Sequence, residues 1–285
     1  MELFKLDIIY SLYISNKHLY IIAFFLLMMG RIIAQNSDSL IYRSQSVRSV
    51  GVGLPAVNYS LLSPLNHSGY SLNFHSTRFL EKPEHFTQFQ MHFELGLLYN
   101  NANDSYITTL GFNGGWSRHW HVSDRTRPLR LLLGGSADAG INIYMKEDNT
   151  NNPLAYFFNL SVSPDIMIKY LWFNDQKTKF ELGQQIYFPL GSLISSSDYS
   201  SSLPPGFVED DASFFEAMRL VSFDHFRKCT TITTLDITPA FERRQKRPVF
   251  RISYIFSGIS YNNGDFTIKS ADHLLLFGAI FHLFR

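Results

Sequence analysis

Residues 89–99 read FQMHFELGLLY and alternate without a break. Phe89, Met91, Phe93, Leu95, Leu97 and Tyr99 fall on one side, and Gln90, His92, Glu94, Gly96 and Leu98 on the other. A period of two over eleven residues specifies an extended strand with chemically opposite faces. So long and two-faced a strand suits the sheet of an enzyme core, a binding barrel or the wall of a membrane barrel.

The pattern recurs along the chain. Residues 106–120 set Leu110, Phe112, Trp116 and Trp120 against Thr109, Gly111, Asn113, Gly115, Ser117 and His119. Residues 129–143 set Leu129, Leu131, Leu133, Ala137, Ala139, Ile141 and Ile143 against Arg130, Gly134, Ser136, Asp138 and Asn142. Residues 154–172 oppose an apolar row from Leu154 to Trp172 with Asn159, Ser161, Ser163, Asp165 and Lys169. Further strands are expected over 70–80, 179–193, about 227–241, 248–262 and 270–284, with a weaker one over 47–59 that glycines and Pro55 soften. No amphipathic helix of convincing length and no internal repeat accompanies them.

The connectors fall into two classes. EKPEH (81–85), HVSDRTR (121–127), FNDQKT (173–178) and ERRQKR (242–247) are short. Those between them include NNANDS (100–105), KEDNTNNP (146–153) and the long stretch from Ile194 to about Phe226. Short turns at one end and longer loops at the other are the pattern of a barrel crossing an outer membrane. The fold class expected is all-β, a transmembrane antiparallel up-and-down β-barrel of about ten strands, with eight or twelve as the alternatives if the N-terminal segment or the long loop is miscounted.

Alternation alone does not select a membrane, because any antiparallel sheet with one buried face shows it. Length does: these strands run well beyond the roughly 5–6 residues usual in soluble sheets. The polar face is mostly Gly, Ser, Thr and Asn, which suits a crowded lumen better than a charged exterior. Charged residues make up only 17% of the chain and aromatics 15%, against about 25% charged in ordinary soluble domains. Trp116, Trp120, Tyr144, Tyr156, Tyr170 and Trp172 are expected in the interfacial girdles. A closed barrel also pairs every backbone amide, as hydrocarbon requires.

The N-terminus supports export. Lys17 and His18 precede the apolar run Leu19–Met29, and a small residue, Ala34, closes it. This reads as a signal peptide over residues 1–34 with cleavage after Ala34, the barrel occupying 35–285. The apolar run is too short for a spanning helix of roughly 20 residues. Residues 35–285 carry equal numbers of basic and acidic side chains, so nothing points to nucleic acid. Cys229 is the sole cysteine, which excludes an internal disulfide framework, and no Cys/His grouping suggests zinc. The last strand, ADHLLLFGAIFHLFR, is apolar on both faces, so its facing is ambiguous. Its near-terminal Phe284 fits the C-terminal signal read by the barrel-assembly machinery, although Arg285 trails it.

Several stretches carry a resemblance. VGVGLPAVNYSLLSPLNHSG (50–69), GGSADAGINIYMKEDNTNNPLAYFFNLSVSP (134–164), YFPLGSLISSSDYS (187–200), SFDHF (222–226) and DHLLLFGAIFHLF (272–284) together resemble an outer-membrane β-barrel family of Bacteroidetes, catalogued only as a domain of unknown function. That family has an Asp-Thr pair where this chain has Asn58, Tyr59 and Ser60. The resemblance implies a fold and a location in a Gram-negative outer membrane, and brings no activity.

Counting along the strands places Glu94, Asp138, Asp165 and Asp236 at mid-height facing inward. Arg130, Lys169, Glu181, Glu242 and Arg251 belong nearer the short-turn end, with the facing of Arg251 open. A ten-strand interior is only slightly wider than the filled eight-strand case, so a wide pore is not expected. Buried charges must pair, so a salt-bridged filling is the expectation; the functional reading is a polar path or small-ligand site whose mid-level carboxylates hold cations or a sugar. Asp224 and His225 end the longest loop, where an adjacent acid and imidazole suit general-base work or simply anchor the segment. Glu209, Asp210 and Asp211 are expected as solvated loop charge, and SFFEAMRL as one short helix. His75 and Ser76 point to opposite faces and cannot form one site. No GxSxG, HExxH or phosphate loop is present. The chain is therefore expected to be a non-enzymatic outer-membrane barrel of structural or narrow-transport character, with lipid and the assembly machinery as partners and no metal or cofactor. The alternatives are a rim hydrolase and a soluble exported binding barrel.

Overall fold

In the computed structural model the described residues are 43–100, 102, 104–124, 126–146, 154–173, 178–197, 218–239, 249–262, 264 and 266–283. The expected signal peptide, Glu209–Asp211, Glu242 with the rest of ERRQKR, and Phe284 lie outside them.

The alternating segments all form strands, and no helix occurs among the described residues. They are β1 (Arg43–Gly53), β2 (Ala56–Tyr59), β3 (His67–Glu81), β4 (His85–Asn100), β5 (Ser105–His121), β6 (Leu129–Met145), β7 (Leu154–Phe173), β8 (Lys179–Tyr187), β9 (Gly191–Ser196), β10 (Arg219–Ser222), β11 (Phe226–Thr238), β12 (Val249–Asn262) and β13 (Thr267–Leu283). Pairing runs β7-β6-β5-β4-β3-β1-β13-β12-β11-β8, and β8 pairs back onto β7. The result is a closed antiparallel barrel of ten strands, as the connector count anticipates. Closure removes the free edges that an open sheet would leave.

The three extra short strands have local causes. β2 continues β1 in unchanged register against both β3 and β13, the two being separated at Pro55, which has no N–H for the ladder. Pro189 likewise divides the strand expected over 179–193 into β8 and β9, both on β7. β10 pairs with β9 while β11 pairs with β8, and Phe223, Asp224 and His225 make a turn between them. Arg219 and Leu220 open β10, so the end of the expected SFFEAMRL helix is extended instead.

Facing follows parity. On β4 the odd residues Phe89 to Tyr99 are exposed, and the even ones line the interior. β13 resolves the ambiguous last strand: Asp272, Leu274, Leu276 and Ile280 point inward, and Leu275, Phe277 and Phe281 outward. Leu72, Phe74, Phe93, Leu133, Ile168, Leu182 and Phe250 extend this apolar outer wall over other strands. Trp120 and Tyr170 are on it too, and Tyr170 stacks on Trp172 at 5.6 Å. Two expected girdle residues are not. Tyr144 has inward parity and is only 4% exposed, and Tyr156 is buried with its hydroxyl 3.1 Å from that of Ser195.

Candidate functional site

The lumen is filled in layers. At the loop end, inward-facing rings interlock: Tyr59 lies 5.6 Å edge-on from Tyr144 and 5.7 Å from Phe266, and Phe157 lies 5.7 Å from Tyr261 and 6.1 Å from Phe226. The turn after β2 adds Leu61 and Leu62, so chain as well as side chains closes this end. Edge and tilted contacts of this kind add about 0.5–1.5 kcal/mol per pair beyond their burial.

A chamber of about 130 Å³, lined by both polar and apolar side chains, lies beneath this knot, which supplies Val57, Leu98 and Tyr144 to its wall. Glu94, Asp138, Asp272, Lys228, His75 and His92 also line it, with Thr109, Asn113 and Asn142. Lys228 on β11 reaches across to Asp138 on β6 and forms an ion pair with its Oδ2. Both side chains are over nine-tenths buried, and Asn159 Nδ2 donates to the same oxygen at 3.3 Å. Burial strengthens such a pair and makes loss of either member costly. His92 Nε2 lies 2.7 Å from the Asn73 amide oxygen. Tyr187, Ile232, Ile255 and Leu274 complete the wall and belong to an apolar layer that also includes Leu276.

Charge is concentrated again at the short-turn end. Arg130 Nη2 donates to Glu181 at 3.1 Å, with Lys169 at 3.7 Å and Lys179 at 3.6 Å from the same carboxylate. Arg251 grips Asp236 through two bonds of 2.5 and 2.6 Å. Aromatic faces share the work: Lys169 Nζ sits 4.0 Å above Phe86, and the Arg251 guanidinium 4.8 Å above Phe79.

The expected site residues therefore separate. Glu94 and Asp138 meet in the chamber. Asp165 is fully buried, 3.1 Å from His119 Nε2 and bonded by Gln185 at 2.7 Å. Asp236 is not at mid-height but beside Arg251 and Glu181, in the cluster that holds Arg130 and Lys169. The facing of Arg251 is inward. Asp224 and His225 are exposed in the turn before β11 and line no part of the chamber. His75 is inside and Ser76 outside, as parity requires. Counting misses Lys228, Asp272 and His92 as chamber residues. Their signal is parity: Lys228 shares it with Asp236, Asp272 with Leu274, and His92 with Glu94.

Among solved structures, the chain is similar to the outer membrane protease OmpT from Escherichia coli, with 7% identity, TM-score 0.44, and coverage of 88% of this chain and 99% of that one. It is also similar to the translocator domain of the autotransporter NalP from Neisseria meningitidis, with 6% identity, TM-score 0.40, and coverage of 94% and 97%. A third is the beta domain of the Bordetella autotransporter BrkA, with 8% identity, TM-score 0.42, and coverage of 85% and 100%. No curated protein is similar to the chain in sequence. Residues 19–285 match the family described as "Protein of unknown function (DUF3316)".

Proposed function

From the premise that this chain belongs to the DUF3316 family, and that it folds as a closed ten-strand barrel, we propose that it is a small outer-membrane barrel with a closed lumen. Its role is structural or surface-directed and non-enzymatic. The observation that carries this is the pairing of an apolar outside with a polar inside. Large apolar side chains such as Phe74, Phe93, Leu133, Ile168 and Phe277 are exposed, while Asp138, Lys228, Asp165 and His119 are buried. Soluble monomers rarely expose apolar patches beyond a few hundred Å², and lipid is the solvent that reverses the usual arrangement. In this reading the N-terminal segment directs export, the assembly machinery inserts the barrel, and the short turns face the periplasm.

The aromatic knot and the two packed layers below it favour a closed interior over a wide pore. A narrow-transport reading keeps some support from the chamber, which has room for a small polar solute. The hydrolase reading has less: Asp224 and His225 are exposed and apart from any enclosed cleft, whereas a general base needs a held substrate within about 3 Å.

Refolding into lipid vesicles tests the proposal. With Cys229→Ser as background, a polarity-sensitive probe at Phe93→Cys should emit as in hydrocarbon and be quenched by lipid-borne quenchers, and the band should shift mobility on heating. Water-like emission from a folded chain that leaves the vesicles on washing would support a soluble barrel instead.

A further inference from the structure

The chamber is unbalanced in charge. Asp138 has Lys228, but Glu94 and Asp272 line the same space, whose described lining residues include no second ammonium or guanidinium. Two buried carboxyl groups without a cationic partner either hold protons or take up a counter-charge.

The wall around Glu94 is shaped to admit one. Gly111 lies between Glu94 on β4 and Asn142 on β6; a Cβ there would sit 2.9 Å from Asn142 Oδ1 and 3.6 Å from Glu94 Oε2. The missing side chain leaves both oxygens open to the same space. Two residues away on that face, Thr109 is 6% exposed and lines the chamber, and its hydroxyl has no hydrogen-bond partner among the described residues. Ser44, Ser117, Ser136 and Ser163 also have buried hydroxyls without a partner among the described residues, but Thr109 is the one of these five that lines the chamber.

We propose that Glu94 and Asp272, with the Asn142 amide oxygen and the Thr109 hydroxyl, bind one divalent cation of the calcium type inside the closed barrel. The proposal rests on the closed-barrel reading and adds a ligand to it. The proposed donors are all hard oxygens, two carboxylates, an amide and a hydroxyl, a set that suits calcium or magnesium better than zinc and other softer metals. Calcium accepts six to eight oxygens in irregular geometry and takes waters as part of the set, whereas magnesium demands a regular octahedron. A charge of two neutralises the two carboxylates that Lys228 does not serve.

The test uses the full chain refolded in detergent, stripped with a chelator and titrated with calcium chloride by calorimetry. Thermal midpoints of the mobility-shifted band are followed in parallel. One equivalent of calcium should bind and raise the midpoint. Glu94→Gln combined with Asp272→Asn should weaken binding at least tenfold, and so should Gly111→Ala, which fills the cradle and leaves both carboxylates in place. Terbium in place of calcium needs no variant: it should emit on tyrosine excitation, because Tyr144 and Tyr187 line the chamber. The proposal is overturned by a folded barrel that binds no calcium, by binding that both variants leave unchanged, or by a midpoint that rises with methylammonium and not with calcium. A folded, inserted barrel indifferent to calcium refutes the cation site alone. A chain that does not insert refutes the barrel reading beneath it and the site with it.

Discussion

Replacing Lys228 by Met should destabilise the barrel far more than replacing Lys228 and Asp138 together. Both partners are over nine-tenths buried, so solvent screens the pair little, and removing one member of such a pair costs about 3–5 kcal/mol. The Asn159 amide donates to the same Asp138 oxygen at 3.3 Å with or without Lys228, so it offsets none of this cost. The expected cost is therefore about 3–5 kcal/mol, roughly a hundredfold to several-thousandfold change in the folding equilibrium. Lys228→Met with Asp138→Asn removes both charges while keeping the aliphatic stem and the shape of the acid, and should recover most of that loss. Urea titration of vesicle-refolded barrel, closed as a double-mutant cycle, reads these values directly. The reasoning fails if Lys228→Met costs less than about 0.5 kcal/mol, the range of ordinary surface changes, or if the double variant costs the sum of the singles.

Other consequences can be checked in the same assay. Gly134→Ala should cost about 1–3 kcal/mol, because its Cβ would lie 2.0 Å from the Arg118 carbonyl oxygen, whereas Gly191→Ala, with nothing within 4 Å, should be neutral. Phe93→Arg should cost about 2–4 kcal/mol in a bilayer, if the side chain faces mid-membrane as its place in β4 indicates; a cost near zero would move that surface into water. The short turn before β6 has a pH signature. Thr126 donates its backbone N–H to Asp124 at 2.9 Å, and this bond first, then one from the Thr126 hydroxyl, holds the Asp124 carboxyl below its ordinary range. A depressed folded value means that the contribution is full above the unfolded value and is lost as pH falls through the folded one. Carbon NMR should accordingly show Asp124 titrating below a model aspartate, and Thr126→Pro, which deletes the N–H, should raise that midpoint.

Much of this fold is legible because a barrel writes its two environments into alternate residues. FQMHFELGLLY gives the facing of β4 from Phe89 to Tyr99, and Pro55, though it interrupts the ladder, does not shift register, so parity holds from β1 into β2. Parity fails where both solvents want the same residue type. The last strand puts Leu274 and Leu276 into an apolar lumen layer and Leu275 and Phe277 into the outer wall, and composition cannot distinguish the two. Height is harder still than facing, since strand tilt and stagger decide which residues meet across the lumen. Counting along the strands puts Asp236 level with Glu94, yet it lies beside Arg251 at the short-turn end. Lys228 and Asp138 are ninety positions apart and on non-adjacent strands, so nothing local announces their pairing. The knot was hidden for another reason: Tyr144 near a strand end looks like a girdle residue until its inward parity is taken over its aromatic character.

The central claim is a membrane barrel with a closed interior, and planar-bilayer conductance of the refolded chain tests it most directly, with heat-shifted mobility confirming that the inserted protein is folded. The account predicts a folded, inserted and electrically silent barrel. Steady, ion-selective steps from the same folded material, altered by neutralising Glu94 or Asp138, would contradict it and make the chamber part of an open path.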